Sequence, residues 1–361
     1  MMKILAINEC CSDNIGDHAI NYGLEKLIRS NGYEPQSVGF DAGVKNEKPQ
    51  QIITNNNKLS LKTRIKKKYL SNKQSLKYVL WILKNLLRVR SSVKNEHQAV
   101  IIGGGQLIQS GGTFPIAMYI WTLFCKKKKI PIYIAGVGCA EKFSKLDIWL
   151  YKTSFERASK IYVRDISSVE KLKRIFSTHS ELIPDLAYAL YDKEKYSSNK
   201  KAQTLIGCTS YYVYEKNIKE LSLKNGLSYS EYISKWQDIA LSEIKSGKAI
   251  VLASTTVQDA VLNKLVYNKL VELGYSSSVS HIDDIPTTFE YLAILQNVDK
   301  VISGRMHSLI LGHISGCKIE TIDINKKIDH FMLEYSDKSP CELNVNPVSY
   351  THLTLPTILR V

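Results

Sequence analysis

Short apolar runs alternate along the first half of the chain with longer segments whose apolar residues recur at helical spacing. The short runs predict strands at Lys3–Asn8, Ser37–Phe40, Ala99–Ile102, Ile132–Gly136 and Lys160–Arg164. The longer segments predict helices at Ala19–Asn31, Pro115–Lys129 and Leu146–Ser159. A repeated strand–helix order is typical of a mostly parallel sheet covered by helices on both faces.

The same pattern restarts after a polar stretch at residues 192–203, which is rich in Lys, Ser and Asn. The predicted strands of the second half are Thr204–Cys208, Ala249–Ser254, Ser278–Ile282, Lys300–Ser303 and Lys318–Ile324. The predicted helices are Tyr229–Lys245, Asp259–Leu273, Thr287–Gln296 and Met306–Ser315.

The prediction is therefore an α/β protein of two Rossmann-like, doubly wound domains that face a cleft, at residues 1–191 and 204–335. Ligands of open parallel sheets bind at the carboxyl ends of the strands, so residues that follow the strands are the first candidates for a site. The last residues, 348–361, have no period that fits this pattern. We interpret them as a non-native tail and leave them out of the functional argument.

The formal net charge of +15 over 361 residues favours anionic partners. Residues 58–94 contain twelve Lys or Arg and no Asp or Glu, with an apolar run at Tyr78–Leu87 that is too short to span a bilayer. Two interpretations remain open: a basic amphipathic helix on an anionic membrane, or a solvated insertion whose apolar side packs on the protein. No zinc-finger, RNP-like or helix-turn-helix signature accompanies the charge, so nucleic acid is not an expected partner.

The N-terminus leads directly into the first predicted strand without a signal-peptide pattern, which favours a cytoplasmic protein. Seven scattered cysteines argue against a disulfide framework: Cys10, Cys11, Cys125, Cys139, Cys208, Cys317 and Cys341. No CxxC pair or His/Cys cluster indicates a metal site. We expect neither a metal nor a cofactor.

The segment Ser303-Gly-Arg-Met-His-Ser308 carries the clearest chemistry. It connects a predicted strand to a predicted helix, and it places Arg305 and His307 at the carboxyl end of the sheet. Arginine offers five fixed donors that match phosphate or carboxylate, and histidine moves a proton near neutral pH. The segment predicts an enzyme that acts on a small anionic substrate, although surface or capping roles for both residues remain open.

Two loops of the first half also suit an anion. Asn14-Ile-Gly-Asp17 follows the first strand, where Asn and Asp favour turns and caps and where the next helix offers its N-terminus. Gly103-Gly-Gly105 follows the third strand and would expose backbone amides. The alternatives are a simply capped helix at the first loop and, at the second, glycines that merely let domains approach each other.

Arg164 ends the fifth predicted strand, and Ser167 or Ser168 follows it as a candidate cap of the next helix. Arg164 can bind a ligand or form an internal salt bridge with Asp165 or another neighbour. Asp185 is open to three roles: a helix cap, a bridge to Arg164, or a ligand contact.

Together these segments resemble the polysaccharide pyruvyl transferase family. The matching residues occur in the family's order: Asn14-Ile-Gly-Asp17, Gly103-Gly-Gly105, Gly136-Val-Gly138, Val163-Arg-Asp165 with Ser168, Pro184-Asp185, and Ser303-Gly-Arg-Met-His-Ser308. The resemblance implies a two-domain fold similar to the GT-B glycosyltransferases. It also implies transfer of pyruvate from phosphoenolpyruvate to a sugar as a ketal.

Phosphoenolpyruvate carries a carboxylate and a phosphate, so we expect two cationic groups to bind it. The predicted catalytic residues are His307 and, second, Asp17; the predicted binding residues are Arg164, Arg305, Asn14, Gly104, Gly105, Ser168 and Ser303. The expected acceptor is a glycan or a lipid-linked sugar, which would place the protein in the cytoplasm at the inner face of the membrane. A nucleotide-sugar glycosyltransferase and a non-catalytic binding protein are the alternatives.

Overall fold

A computed structural model describes residues 2–41, 74–192, 200–221, 226–322, 326–340 and 342–343. Predictions that fall on residues 58–73, 193–199, 323–324 and 348–361 lie outside the described residues. The described chain forms two compact units. The N-terminal unit contains residues 2–12 and the described part of 20–186, and the C-terminal unit contains residues 13–19 and the described part of 187–343.

The N-terminal unit is built on a six-stranded parallel sheet with the order β2-β1-β3-β4-β5-β6. Its strands are β1 Lys3–Asn8, β2 Glu34–Gly39, β3 His97–Gly103, β4 Ile132–Val137, β5 Lys160–Val163 and β6 Glu181–Leu182. Its helices are α1 Ile15–Ser30, α2 Gln74–Ser92, α3 Phe114–Lys127, α4 Lys145–Phe155 and α5 Ile166–Phe176.

The central strands of this sheet are buried on both faces, which explains why they read as continuous apolar runs. All six residues of β4 are buried, as are the last five of β1. Helices on one side contribute large aromatic side chains to the core, among them Trp121, Tyr151 and Phe176. Their burial gives this unit its own hydrophobic core.

The C-terminal unit has a five-stranded parallel sheet with the order β11-β10-β7-β8-β9. Its strands are β7 Lys201–Gly207, β8 Ala249–Leu252, β9 Val279–His281, β10 Val298–Ser303 and β11 Lys318–Glu320. Its helices are α6 Tyr211–Glu220, α7 Tyr229–Lys245, α8 Val257–Glu272, α9 Thr288–Leu295, α10 Met306–Ile314 and α11 Lys326–Tyr335. Capping boxes start α7 at Ser228 with Glu231 and α9 at Thr287 with Glu290.

The predicted fold class is confirmed, since both units are parallel α/β structures and each of the ten predicted strands is present. The pattern missed the two-residue strand β6 and the helices α6 and α11. Helix α1 also begins at Ile15, four residues before the predicted start. The apolar pattern begins at Ala19, but Asn14 caps the helix earlier by accepting the amide of Gly16 at 3.0 Å.

Each sheet reverses its strand order at one point, which is where open parallel sheets bind ligands. In the N-terminal unit this point lies between β1 and β3, next to the loops that hold Asn8–Asn14 and Gly103–Gly105. In the C-terminal unit it lies between β7 and β10, next to the loop that holds Arg305. The loops after β1, β3 and β10 thus each follow a strand at the reversal point of its sheet.

Gly104 has a φ of 81°, and a side chain there would overlap Ile20 of α1. Gly104→Ala should lose about 1–2 kcal/mol because of the left-handed backbone. It should lose about 1–3 kcal/mol more because of overpacking against Ile20. Urea unfolding of the purified variant measures the loss.

Gly111→Ala is the matched control for this test. Its φ is 86°, but nothing lies within 4 Å of the position that a Cβ would occupy. It should therefore show only the smaller, backbone part of the loss. Equal losses in the two variants would contradict close packing of α1 on the glycine run.

Candidate active site

The loop after β10 is tied back to the sheet by Ser303. The Ser303 hydroxyl donates to the carbonyl of Gly207 at 2.9 Å and accepts the amide of Arg305 at 3.1 Å. Ser303 itself is fully buried. It fixes the turn from β10 into α10, and its predicted contact with substrate stays a prediction.

Arg305 is held by a buried carboxylate. Its Nε and Nη2 donate to Oδ2 and Oδ1 of Asp259 at 2.7 and 2.8 Å, a two-point pair with a side chain that is only 1% exposed. Within the described part of the chain the second Nη2 hydrogen reaches Thr256 Oγ1 at 3.5 Å, and Nη1 makes no hydrogen bond. The pair with Asp259 fixes the guanidinium and balances its charge, and the Arg305 side chain remains 26% exposed.

The carboxylate of Asp259 also organises the loop after β7. It accepts the amide of Ser210 at 2.8 Å and the hydroxyl of Thr256 at 2.8 Å. One turn later on α8, Asn263 accepts the amide of Cys208 at 3.0 Å. Helix α8 therefore fixes the residues that follow β7 and Arg305 after β10 with one set of buried polar groups.

The loop that starts α1 belongs to the C-terminal unit, although it follows the first strand in sequence. The Ile15 amide donates to the carbonyl of Thr255 at 3.2 Å, and the Ile15 carbonyl accepts the hydroxyl of Thr288 at 3.1 Å. Both backbone groups of Ile15 are thus bound within that unit. The motif Asn14–Asp17 is thereby in the same compact unit as Arg305 and His307.

Gly16 packs directly against His307. A Cβ at Gly16 would overlap Cβ, Cγ and Nδ1 of His307, so only glycine fits beside the imidazole. Asp17 follows in the first turn of α1 and is partly exposed, as is His307. Most of α10 beyond its first turn is buried, so Arg305 and His307 lie at its accessible end.

Arg164 in the N-terminal unit forms the internal bridge that the sequence left open. Its Nη1 donates to Oδ2 of Asp185 at 2.9 Å, with both side chains less than a tenth exposed. Its guanidinium also lies over Gly138, where a Cβ would be 3.3 Å from Nε and Nη2. Of the three roles open to Asp185, the structure shows the bridge; ligand binding by Arg164 stays a prediction.

The glycine run and Ser168 have local structural roles in the same unit. The Gly104 amide donates to the carbonyl of Ala135 at 2.8 Å, so this amide is engaged by the sheet. The predicted cap at Ser167 or Ser168 is wrong, because Asp165 caps α5 by accepting the Ser168 amide. The Ser168 hydroxyl instead accepts the amide of Cys139 at 2.8 Å. Substrate binding by Gly104, Gly105 and Ser168 stays a prediction.

The predicted residues are divided between the two units. Asn14, Asp17, Ser303, Arg305 and His307 share the C-terminal unit, and the remaining binding candidates belong to the other. Convergence of both sets on one ligand stays a prediction.

Sequence reasoning missed Asp259, the residue that orients Arg305. Its only signal was an acidic residue in the first turn of the helix that follows a buried strand.

No group of His, Cys, Asp or Glu among the described residues has the arrangement of a metal site. The helices in the described ranges are all too short or too polar to cross a bilayer.

Several solved structures resemble this chain over nearly its full length, and the following two are among them. A UDP-GlcNAc 2-epimerase from Methanocaldococcus jannaschii has a TM-score of 0.54 at 10% identity, covering 98% of this chain and 99% of that one. A co-structure of MnaA with UDP from S. aureus has a TM-score of 0.53 at 12% identity, covering 99% and 98%. At these identities the likeness shows the fold alone. A search of curated proteins found no significant match.

The fold defines a two-domain, Rossmann-like α/β protein of the GT-B type, as predicted. The family model for polysaccharide pyruvyl transferase matches residues 14–319, which is most of the chain. The chain therefore belongs to the polysaccharide pyruvyl transferase family, and the resemblance noted in the sequence is confirmed.

Gly16→Ala should move the imidazole of His307, because a methyl group at Gly16 overlaps the ring. Because the overlap includes Cβ of His307, the variant should also lose about 1–3 kcal/mol of stability through overpacking. We expect shifted ring signals of His307 in two-dimensional NMR, together with a lower melting temperature. Gly247→Ala, where nothing lies within 4 Å, should leave those signals in place. Unmoved His307 signals in Gly16→Ala would disprove the contact.

Proposed function

We propose that this protein transfers pyruvate from phosphoenolpyruvate to a sugar of a surface polysaccharide or its precursor, forming a ketal and releasing phosphate. The observation that carries the proposal is the pairing of Arg305 with buried Asp259 at the start of α10, with His307 two residues later. This arrangement supports an anion-binding site with an adjacent proton-transfer group. The chain's membership of the pyruvyl transferase family supports the choice of reaction.

Arg305 and the N-terminus of α10 are the proposed anion-binding elements. Nη1 of Arg305 would donate to the phosphate or the carboxylate of phosphoenolpyruvate, because Nε and Nη2 already donate hydrogen bonds to Asp259. The first amides of α10 add the partial positive charge of a helix N-terminus. Arg164 is the proposed second cationic group, and it is likewise held by a carboxylate, that of Asp185.

The proposed reaction proceeds by addition and elimination at C2 of the donor. Protonation of the methylene carbon makes C2 electrophilic, and one sugar hydroxyl adds there and loses its proton. The C2–O bond to phosphate then breaks, with the departing charge stabilised by arginine. A second hydroxyl of the same sugar closes the ketal and loses its proton. The net products are one ketal and one inorganic phosphate.

His307 is the proposed acid and base for these proton transfers, with Asp17 as the second candidate. An imidazole changes protonation near neutral pH, which suits a group that takes protons from hydroxyls and gives one to carbon. The contact with Gly16 restricts where the His307 ring can lie, and a fixed position is what proton transfer requires.

The proposed acceptor is a glycan or a lipid-linked sugar, and the proposed location is the cytoplasm at the inner face of the membrane. The basic net charge of +15 is consistent with anionic donors and acceptors. The identity of the donor is the part of the proposal that an experiment can decide first.

Transfer of isotope from the donor tests the function directly. Purified protein is incubated with a panel of glycan acceptors and phosphoenolpyruvate labelled in its pyruvyl carbons, and both labelled glycan and inorganic phosphate are measured. We expect equal amounts of phosphate and labelled product. Label entering from a UDP-sugar instead would establish a glycosyltransferase. Binding of glycan without any transfer would establish a non-catalytic protein.

Arg305→Ala should raise the phosphoenolpyruvate concentration needed for half-maximal rate, because a charge-assisted contact worth about 1.5–3 kcal/mol is lost. Phosphate release at varied donor concentration measures this, with circular dichroism to check the fold. Arg29→Ala is the control: Arg29 is a surface arginine paired with Glu25 at 2.9 Å. An unchanged half-saturation value in Arg305→Ala would exclude Arg305 from donor binding.

A further inference from the structure

Helix α2 is fixed firmly to the N-terminal unit. The Trp81 indole donates to Oδ1 of Asp41 at 2.6 Å, and Nη1 of Arg88 donates to the carbonyl of Gly39 at 2.7 Å. At its start, Tyr78 bonds to the buried carboxylate of Asp147. These bonds come from one side of the helix, whose buried residues are Tyr78, Trp81, Asn85 and Val89. The orientation of α2 is therefore set by specific contacts.

The opposite side of α2 exposes a row of large apolar side chains. We call this row the α2 leucine face; its members and exposed fractions are Leu76 37%, Val79 51%, Leu80 48%, Leu83 74%, Leu86 36% and Leu87 76%. Their spacing of three and four residues places them on one stripe of the helix. Single exposed leucines are ordinary on protein surfaces, but a continuous stripe of six marks an interaction surface.

The charged residues of α2 itself are all positive. Lys84 and Arg90 are exposed and Lys77 is partly exposed, and residues 58–94 contain no Asp or Glu. Two copies of this face would bring like charges together, which disfavours a second copy of the chain as its partner. A partner that is apolar inside and anionic outside matches both features.

We propose that the α2 leucine face docks on an anionic membrane surface, with α2 lying parallel to the bilayer. Leucine side chains would enter the boundary between headgroups and acyl chains, while Lys and Arg contact anionic headgroups. The sequence left two interpretations open, a helix on an anionic membrane and an insertion that packs on the protein, and this proposal combines them. One side of the helix packs on the protein, and the other side is left for the membrane. This proposal does not depend on which donor the active site uses.

Flotation of the full-length protein with lipid vesicles tests the proposal. We expect binding to vesicles that contain phosphatidylglycerol, little binding to pure phosphatidylcholine, and weakening at high salt. Leu83→Gln with Leu87→Gln should reduce the partition coefficient at least about tenfold, since two apolar side chains no longer enter the boundary. Lys77→Gln with Lys84→Gln should reduce it about 25-fold, at about fivefold for each charge.

Val261→Gln with Leu333→Gln is the matched control, because these side chains are 68% and 85% exposed in the C-terminal unit. It should bind vesicles like the wild type. If the leucine variant does not fold by circular dichroism, the lysine variant decides the question on its own.

Three outcomes would overturn the proposal. The first is no flotation of the wild type with anionic vesicles. The second is wild-type binding by both folded variants of α2, with binding lost instead on Lys66→Gln, Lys67→Gln and Lys68→Gln together. The third is a result in which the wild type is a dimer by light scattering and does not bind vesicles, while Leu83→Gln with Leu87→Gln is a monomer. That result would assign the face to self-association.

Discussion

The C-terminal unit depends on the buried carboxylate of Asp259. It accepts hydrogen bonds from the Ser210 amide, the Thr256 hydroxyl and two nitrogens of Arg305. A buried carboxylate is stable only when its oxygens are satisfied in this way, and removal of one partner of a buried ion pair typically costs about 3–5 kcal/mol. The exposure of Arg305 reduces that figure here, because solvent screens part of the interaction. The geometric consequence is that the loops after β7 and β10 share one anchor.

The N-terminal unit uses the same device. Arg164 at the end of β5 is held by the carboxylate of Asp185, and its guanidinium lies over the bare backbone of Gly138. In both units an arginine that follows a strand is oriented by a carboxylate from elsewhere in the sequence. Such a pair has little net charge, so an anion that bound there, as we propose, would be recognised through the direction of the N–H groups.

The sequence was sufficient for the strands and the motifs, because both are local. Apolar runs bounded by glycine and polar residues located all ten predicted strands, and Arg305 and His307 stood out because they interrupt an apolar region directly after a strand. Among the long-range pairings, the sequence offered the bridge between Arg164 and Asp185 as one alternative, but it did not indicate the others. The sequence around Asp259 does not indicate its contact with Arg305. The sequence of Asn14–Asp17 does not indicate that Ile15 hydrogen-bonds to Thr255 and Thr288. These contacts depend on how distant strands are ordered in the sheet.

The most direct test of this account is a double-mutant cycle on phosphoenolpyruvate binding by calorimetry, with Asp259→Asn, Arg305→Lys and the double variant. Asn keeps the shape of Asp259 but cannot accept both donors of Arg305. We expect strong coupling of about 1–3 kcal/mol, so that Asp259→Asn weakens binding in the wild type and has little effect once Arg305 is replaced. Additive effects, or full affinity in Asp259→Asn, would contradict it.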